Sequence, residues 1–157
     1  MKRNLLALIY LLVAVGTARL LSAGEVEELL KLDSAPPGVV FEIIASRDDF
    51  LEQALPGVRQ DIARLRERFP DLEFAVVSHG SEQFALLKDE RHTYAATHSL
   101  TQSLVADEVP VHVCGTHASW RQMSEDDFPD YVNVAASGPA QINDYLALDY
   151  VLIKVGD

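Results

Sequence analysis

The chain holds one cysteine, Cys114, in a run that also carries two histidines: His112-Val113-Cys114-Gly115-Thr116-His117. A thiolate is a nucleophile and a soft metal ligand, and an imidazole binds metals or moves protons near neutral pH. Three readings of Cys114 follow. It is a working thiol, whose sulfur sits where a strand gives way to a helix and free backbone N–H groups favour the anion. In that reading Gly115 allows the tight turn, and Gly115 and Thr116 form the loop that stabilises the thiolate, with Thr116 as a helix cap. It is a packed small hydrophobe in a non-catalytic binding or assembly module. Or it is a metal ligand together with His112 and His117. A lone cysteine excludes an intramolecular disulfide and any multi-cysteine metal site.

A second candidate is His79, in Ser78-His79-Gly80-Ser81. His79 and His117 are the two candidate proton partners for a thiolate at Cys114. Trp120 reads as a packing or interface residue, and the acidic run Glu125 to Asp127 as a solvated turn. There is no glycine-rich phosphate loop, no nucleophile-elbow serine and no usefully spaced pair of carboxylates. Nucleotide and dinucleotide binding are therefore unsupported, and no cofactor is called for.

These residues must be positioned by secondary structure, and the apolar pattern supplies it. Short β-branched runs predict strands over Val39–Ala45, Leu72–Ser78, Val109–Cys114, Tyr131–Ala135 and Tyr150–Val155. Leu51, Leu55, Val58, Ile62, Leu65 and Phe69 recur at helical spacing, with Pro56-Gly57 expected to kink or split the helix. Further helices are expected over His92–Ala106, with Ala95, Leu100 and Leu104 inward, over Ala118–Met123, and from Ser137-Gly138-Pro139 to Leu146. Strands alternating with helices imply a three-layer α/β/α fold on a mostly parallel five-stranded sheet. Ligands of such sheets gather beyond the carboxyl ends of the strands. Both His79 and Cys114 fall at that rim.

The ends and the charge narrow the setting. Lys2 and Arg3 precede an uncharged run from Leu5 to Val15, and small residues follow at Ser22 to Gly24. This pattern predicts a signal peptide over residues 1–23, or an N-terminal membrane anchor if it is not cleaved. Residues 24–38, ending in Ala35-Pro36-Pro37-Gly38, read as a short helix or linker, and residues 39–157 as the folded domain. The expected location is outside the cytoplasm, periplasmic or anchored facing the periplasm. The formal charge of −11 argues against nucleic acid as a partner.

From Glu73 to Val155 the chain resembles the DsrE/DsrF-like (TusD/YchN-like) family of sulfur-relay proteins. Four segments carry the resemblance, in order: a strand ending in His79-Gly80 (AVVSHG), a strand ending in cysteine (VPVHVCGTHA), an acidic turn leading to a strand (MSEDDFPDYVNVAASG), and Ser137-Gly138 opening a helix that runs to Tyr150-Val151-Leu152-Ile153-Lys154. The resemblance implies a DsrE/F-like domain in which Cys114 accepts a sulfur atom as a persulfide and passes it on. It also implies a small sulfur donor or a partner sulfur-carrier protein, and assembly as a homo-oligomer, a trimer or hexamer. Two departures stand out: relay members of the cytoplasm lack a signal peptide, and Thr116-His117 replaces the Ala-rich segment that follows the cysteine in the relay proteins. A carrier needs its sulfur within reach of solvent; a sulfur sealed in the core leaves only the architecture.

Overall fold

The computed structural model describes residues 20–156. Of the expected leader over residues 1–23, residues 1–19 lie outside the described residues. Helix α1 (Leu20–Leu30) therefore spans the expected cleavage point after Ala23. Residues 24–38, expected as a short helix or linker, hold the rest of α1, and Val26 and Leu29 are buried in the main core.

Five strands follow: β1 (Gly38–Ile44), β2 (Glu73–Ser78), β3 (Val111–Cys114), β4 (Asn133–Ala135) and β5 (Val151–Gly156). They form one parallel sheet in the order β4-β3-β2-β1-β5. The helices between them are α2 (Phe50–Arg68), α3 (Ala95–Ala106), α4 (Gly115–Trp120) and α5 (Gly138–Leu146). From β1 to β4 the strands advance in one direction, so their crossovers share one face; the return from β4 to β5 places α5 on the other. Strand alternation divides the core accordingly. Val39, Phe41, Ile43, Val76 and Val113 pack with α1, α2 and Leu104 of α3, whereas Val40, Ala75 and Val77 pack with Ile142 of α5.

Two expectations about the helices are corrected. Pro56 does not split α2, which runs unbroken through it. Pro56 and Glu52 are both exposed, so the carbonyl that loses its partner four residues back faces water. The inner face of α3 is Thr97, His98, Thr101 and Leu104, while Ala95 is exposed and Leu100 half-buried. The chain approaches α3 through two 3₁₀ helices, Ser81–Leu86 and Lys88–Glu90, and α3 starts only at Ala95. That shifts the face set inward, and two of the buried polar groups find partners: Thr101 Oγ1 donates to Thr97 O at 2.9 Å, and His98 Nδ1 bonds the Tyr131 hydroxyl, while Thr97 Oγ1 has none.

His98 Nε2 is buried without a partner, and desolvation holds the His98 imidazole below its ordinary value of 6.5. His112 is lowered for the same reason. Between the folded value and 6.5 the unfolded chain binds more protons, so stability is full above that window and falls as pH drops through it. Denaturant midpoints should therefore decline as pH falls below 6.5, and His98→Asn with His112→Asn should flatten that decline. An equal slope in the double variant would show that other groups govern it.

Candidate functional site

The carboxyl ends of β1, β2, β3 and β4 meet at one rim, as a parallel sheet requires. Beyond β2 the chain turns at Gly80 into the 3₁₀ helix Ser81–Leu86, which brings two fully buried polar side chains beneath the rim, Glu82 and Gln83. Glu82 Oε1 accepts from Ser78 Oγ at 2.7 Å and from Gly80 N at 2.9 Å, and Oε2 accepts from Ala45 N at 2.7 Å. One carboxylate thus joins the end of β1 to the turn after β2. The approach is so close that a Cβ on Gly80 would lie 2.3 Å from Glu82 Oε2 and 2.5 Å from Ala45 O. Gln83 acts on Cys114: its Oε1 accepts from Cys114 N at 2.7 Å and its Nε2 donates to Cys114 O at 3.4 Å.

Cys114 ends β3 and is the N-cap of α4. Its Sγ accepts from His117 N at 3.4 Å. An N-cap side chain reaches the N–H two or three residues on, which explains why His117 supplies this donor. Gly115 and Thr116, expected as the thiolate-stabilising loop, are used otherwise. Thr116 donates through both N and Oγ1 to Ala136 O, at 3.1 and 2.8 Å, and Gly115 packs against Ala135 O. They fasten α4 to the turn after β4. Cys114 is buried, with 4 % of its surface exposed, so the expectation of a sulfur within reach of solvent is not met in this structure.

The two candidate proton partners differ in how their rings are held. His117 Nδ1 lies 2.9 Å from His79 O. A carbonyl only accepts, so Nδ1 carries the proton and Nε2 the lone pair. The ring stands between Phe84, edge-on at 5.3 Å, and Trp120 at 5.2 Å. Trp120 is 74 % exposed, so on the described residues its indole is a surface group beside the site. His79 instead bonds through Nε2 to Glu42 Oε1 at 2.8 Å, and Lys154 Nζ stands 3.8 Å from Glu42 Oε2. Gly138, the first residue of α5, closes over this group. A Cβ there would come 2.4 Å from His79 Cβ and 3.4 Å from Cys114 Cβ, so only glycine fits.

His112, Cys114 and His117 do not converge as a metal site. His112 Nε2 bonds the Tyr145 hydroxyl at 2.9 Å, and His117 Nδ1 is taken by a backbone carbonyl. No group of three or more His, Cys, Asp or Glu among the described residues is arranged to hold a metal. A surface groove of about 430 Å³ lies elsewhere, between Lys88, Asp126, Phe128 and Asn133, and none of the rim residues lines it.

Sequence reasoning missed Glu42, Glu82 and Gln83. Glu42 had a signal: a carboxylate in the middle of an apolar interior strand, VVFEIIA, needs a partner. Glu82 and Gln83 had none, because their segment has no apolar period.

No family model and no curated protein matches the chain. Solved structures do resemble it. The protein of unknown function MTH1491 from Methanobacterium thermoautotrophicum aligns with a TM-score of 0.60 at 22% identity, over 74% of this chain and 96% of its own. The ychN protein from E. coli aligns with a TM-score of 0.54 at 18% identity, over 74% of this chain and 98% of its own. At these identities the likeness is one of fold: a five-stranded parallel α/β/α sheet.

Proposed function

We propose that this chain is a DsrE/DsrF-like sulfur-relay protein in which Cys114 carries sulfane sulfur as a persulfide outside the cytoplasm. Two observations support the family: the ordered motifs of the sequence and the fold shared with the ychN protein. The observation that carries the chemistry is the placing of the sulfur. It stands at the carboxyl end of an interior strand, capped by the His117 N–H, beside His79. The thiolate form of such a cysteine is the nucleophile in sulfur transfer. In this arrangement Cys114 is closed in beneath Gly138, and the carrier role depends on a donor gaining access to the sulfur. The basic start and uncharged run of residues 1–23 support a location in the periplasm, or on its membrane if uncleaved, and the partners in this reading are a small sulfur donor or a second carrier protein. A homo-oligomer, trimer or hexamer, is the working form.

The exposure of only 4 % at Cys114 favours a second reading, a non-catalytic binding or assembly module with a packed thiol. One experiment separates them. The purified protein is incubated with thiosulfate, polysulfide or a low-molecular-weight persulfide and its intact mass is measured. A carrier gains one sulfur, loses it to reductant, and gains nothing as Cys114→Ser. If the native protein gains none, and thiol reagents react only after unfolding, the module reading holds.

A further inference from the structure

We propose that the outer edge of β4 is a docking site for an extended, basic segment of a partner protein, which adds to the sheet as a further strand. The proposal stands whether or not Cys114 carries sulfur.

The sheet has two edges, and the fold treats them differently. β5 ends one side, and α1 meets its backbone: Glu25 Oε2 accepts from Lys154 N at 3.3 Å. β4 ends the other side and pairs with β3 alone, His112 standing opposite Asn133, Val113 opposite Val134 and Cys114 opposite Ala135. Among the described residues no strand lies along its far edge. Such an edge presents N–H and C=O groups ready to pair with another chain.

The surface groove of about 430 Å³ follows this edge. Val132, Asn133 and Val134 all line it. Successive side chains of a strand point to opposite faces, so a groove lined by three residues in a row runs beside the backbone rather than over one face. Its floor is apolar, formed by the buried Phe128 and Val132. Its wall carries Glu125, Asp126 and Asp130, all exposed, against one cation, Lys88, whose Nζ already donates to Asp126 O at 2.8 Å. The neighbouring Asp127 is spent within its own 3₁₀ turn, Oδ2 accepting from Ser124 N at 2.7 Å.

These features define the occupant. An extended peptide laid along β4 bonds its backbone to the strand edge, and its side chains alternate. Apolar side chains meet the floor, and Lys or Arg meets the carboxylates. A second copy of this chain fits worse, because it would bring the same carboxylates to the same edge on a chain of formal charge −11. β4 is three residues long and offers few backbone bonds, so the acidic wall supplies much of the affinity and makes it sensitive to salt. The docked strand lies two strand spacings, about 10 Å, from β3, the strand that ends in Cys114.

The probe is a short fluorescent peptide of alternating lysine and valine, titrated into the protein by anisotropy, with an alternating glutamate–valine peptide as control. Amide NMR shifts should change at Asn133, Val134 and Ala135 and around Asp130, and binding should weaken as salt is raised. Asp126→Asn together with Asp130→Asn, both at exposed side chains, should weaken binding about fivefold and leave the thermal melt unchanged. Methylating the peptide nitrogens at alternate residues removes the donors along one edge. Of the two peptides made this way, one should bind about tenfold more weakly than the other. Absent binding of the lysine–valine peptide, equal binding of the glutamate–valine peptide, undiminished binding by the doubly substituted chain, shifts centred away from β4, or equal binding of the two methylated peptides would overturn the proposal. So would shifts of the β4 amides that follow protein concentration with no peptide present, which would give the edge to a second copy of the chain.

Discussion

Replacing Glu82 by alanine should lower the unfolding free energy by about 3–5 kcal/mol, because three donors lose their acceptor at once in a dry environment. Glu82 is fully buried and collects Ala45 N, Ser78 Oγ and Gly80 N on its two oxygens. Each buried donor left unpaired costs roughly 1–3 kcal/mol. The Ser78 hydroxyl can rotate toward another acceptor, but the two backbone N–H groups are fixed by the ends of β1 and β2. Glu82→Gln provides a graded control. Its amide oxygen retains the Ser78 and Gly80 bonds, while its NH₂ group faces the Ala45 N–H donor to donor, so about 1–3 kcal/mol is lost. Urea or guanidinium unfolding measures both. A midpoint for Glu82→Ala equal to that of the native chain would show that this carboxylate does not hold the rim together.

The second large effect belongs to Gln83. Gln83→Leu preserves most of the side-chain volume but removes both contacts to the Cys114 backbone, at 2.7 and 3.4 Å. The shorter one satisfies a buried N–H that the leucine methyls cannot reach. The expected loss is about 2–3 kcal/mol. It should come with faster amide exchange at Cys114 than at neighbouring Val113, because opening becomes local to the rim. If stability falls and exchange rises uniformly over β3, Gln83 serves the core in general rather than the cysteine.

These two residues mark the limit of what could be read from residue order. The strands and helices were legible because their periodicities are local: VVFEIIA and LEFAVVS can hardly pack as anything but interior strands, and the 3–4 spacing from Leu51 to Phe69 outweighed Pro56. The inner face of α3 was not legible. Its sequence, AATHSLTQSLVA, has no apolar stripe strong enough to orient it, and its buried His98 depends on Tyr131, 33 residues away. The pairing of Gly115 and Thr116 with the sulfur failed for a subtler reason. A capping side chain skips its nearest neighbours, and those neighbours answer to the turn at Ala136.

Residue order alone determined the architecture and the rim at which Cys114 and His79 end their strands, since both follow from local spacing of apolar residues. Tertiary structure alone decided what surrounds the sulfur. Glu42 meets His79 and His117 meets the His79 carbonyl across gaps of 37 and 38 residues, and Gln83 meets Cys114 across 31. A parallel sheet returns distant strand ends to one edge, and which polar groups then satisfy one another is set by register and burial, neither of which any single segment contains.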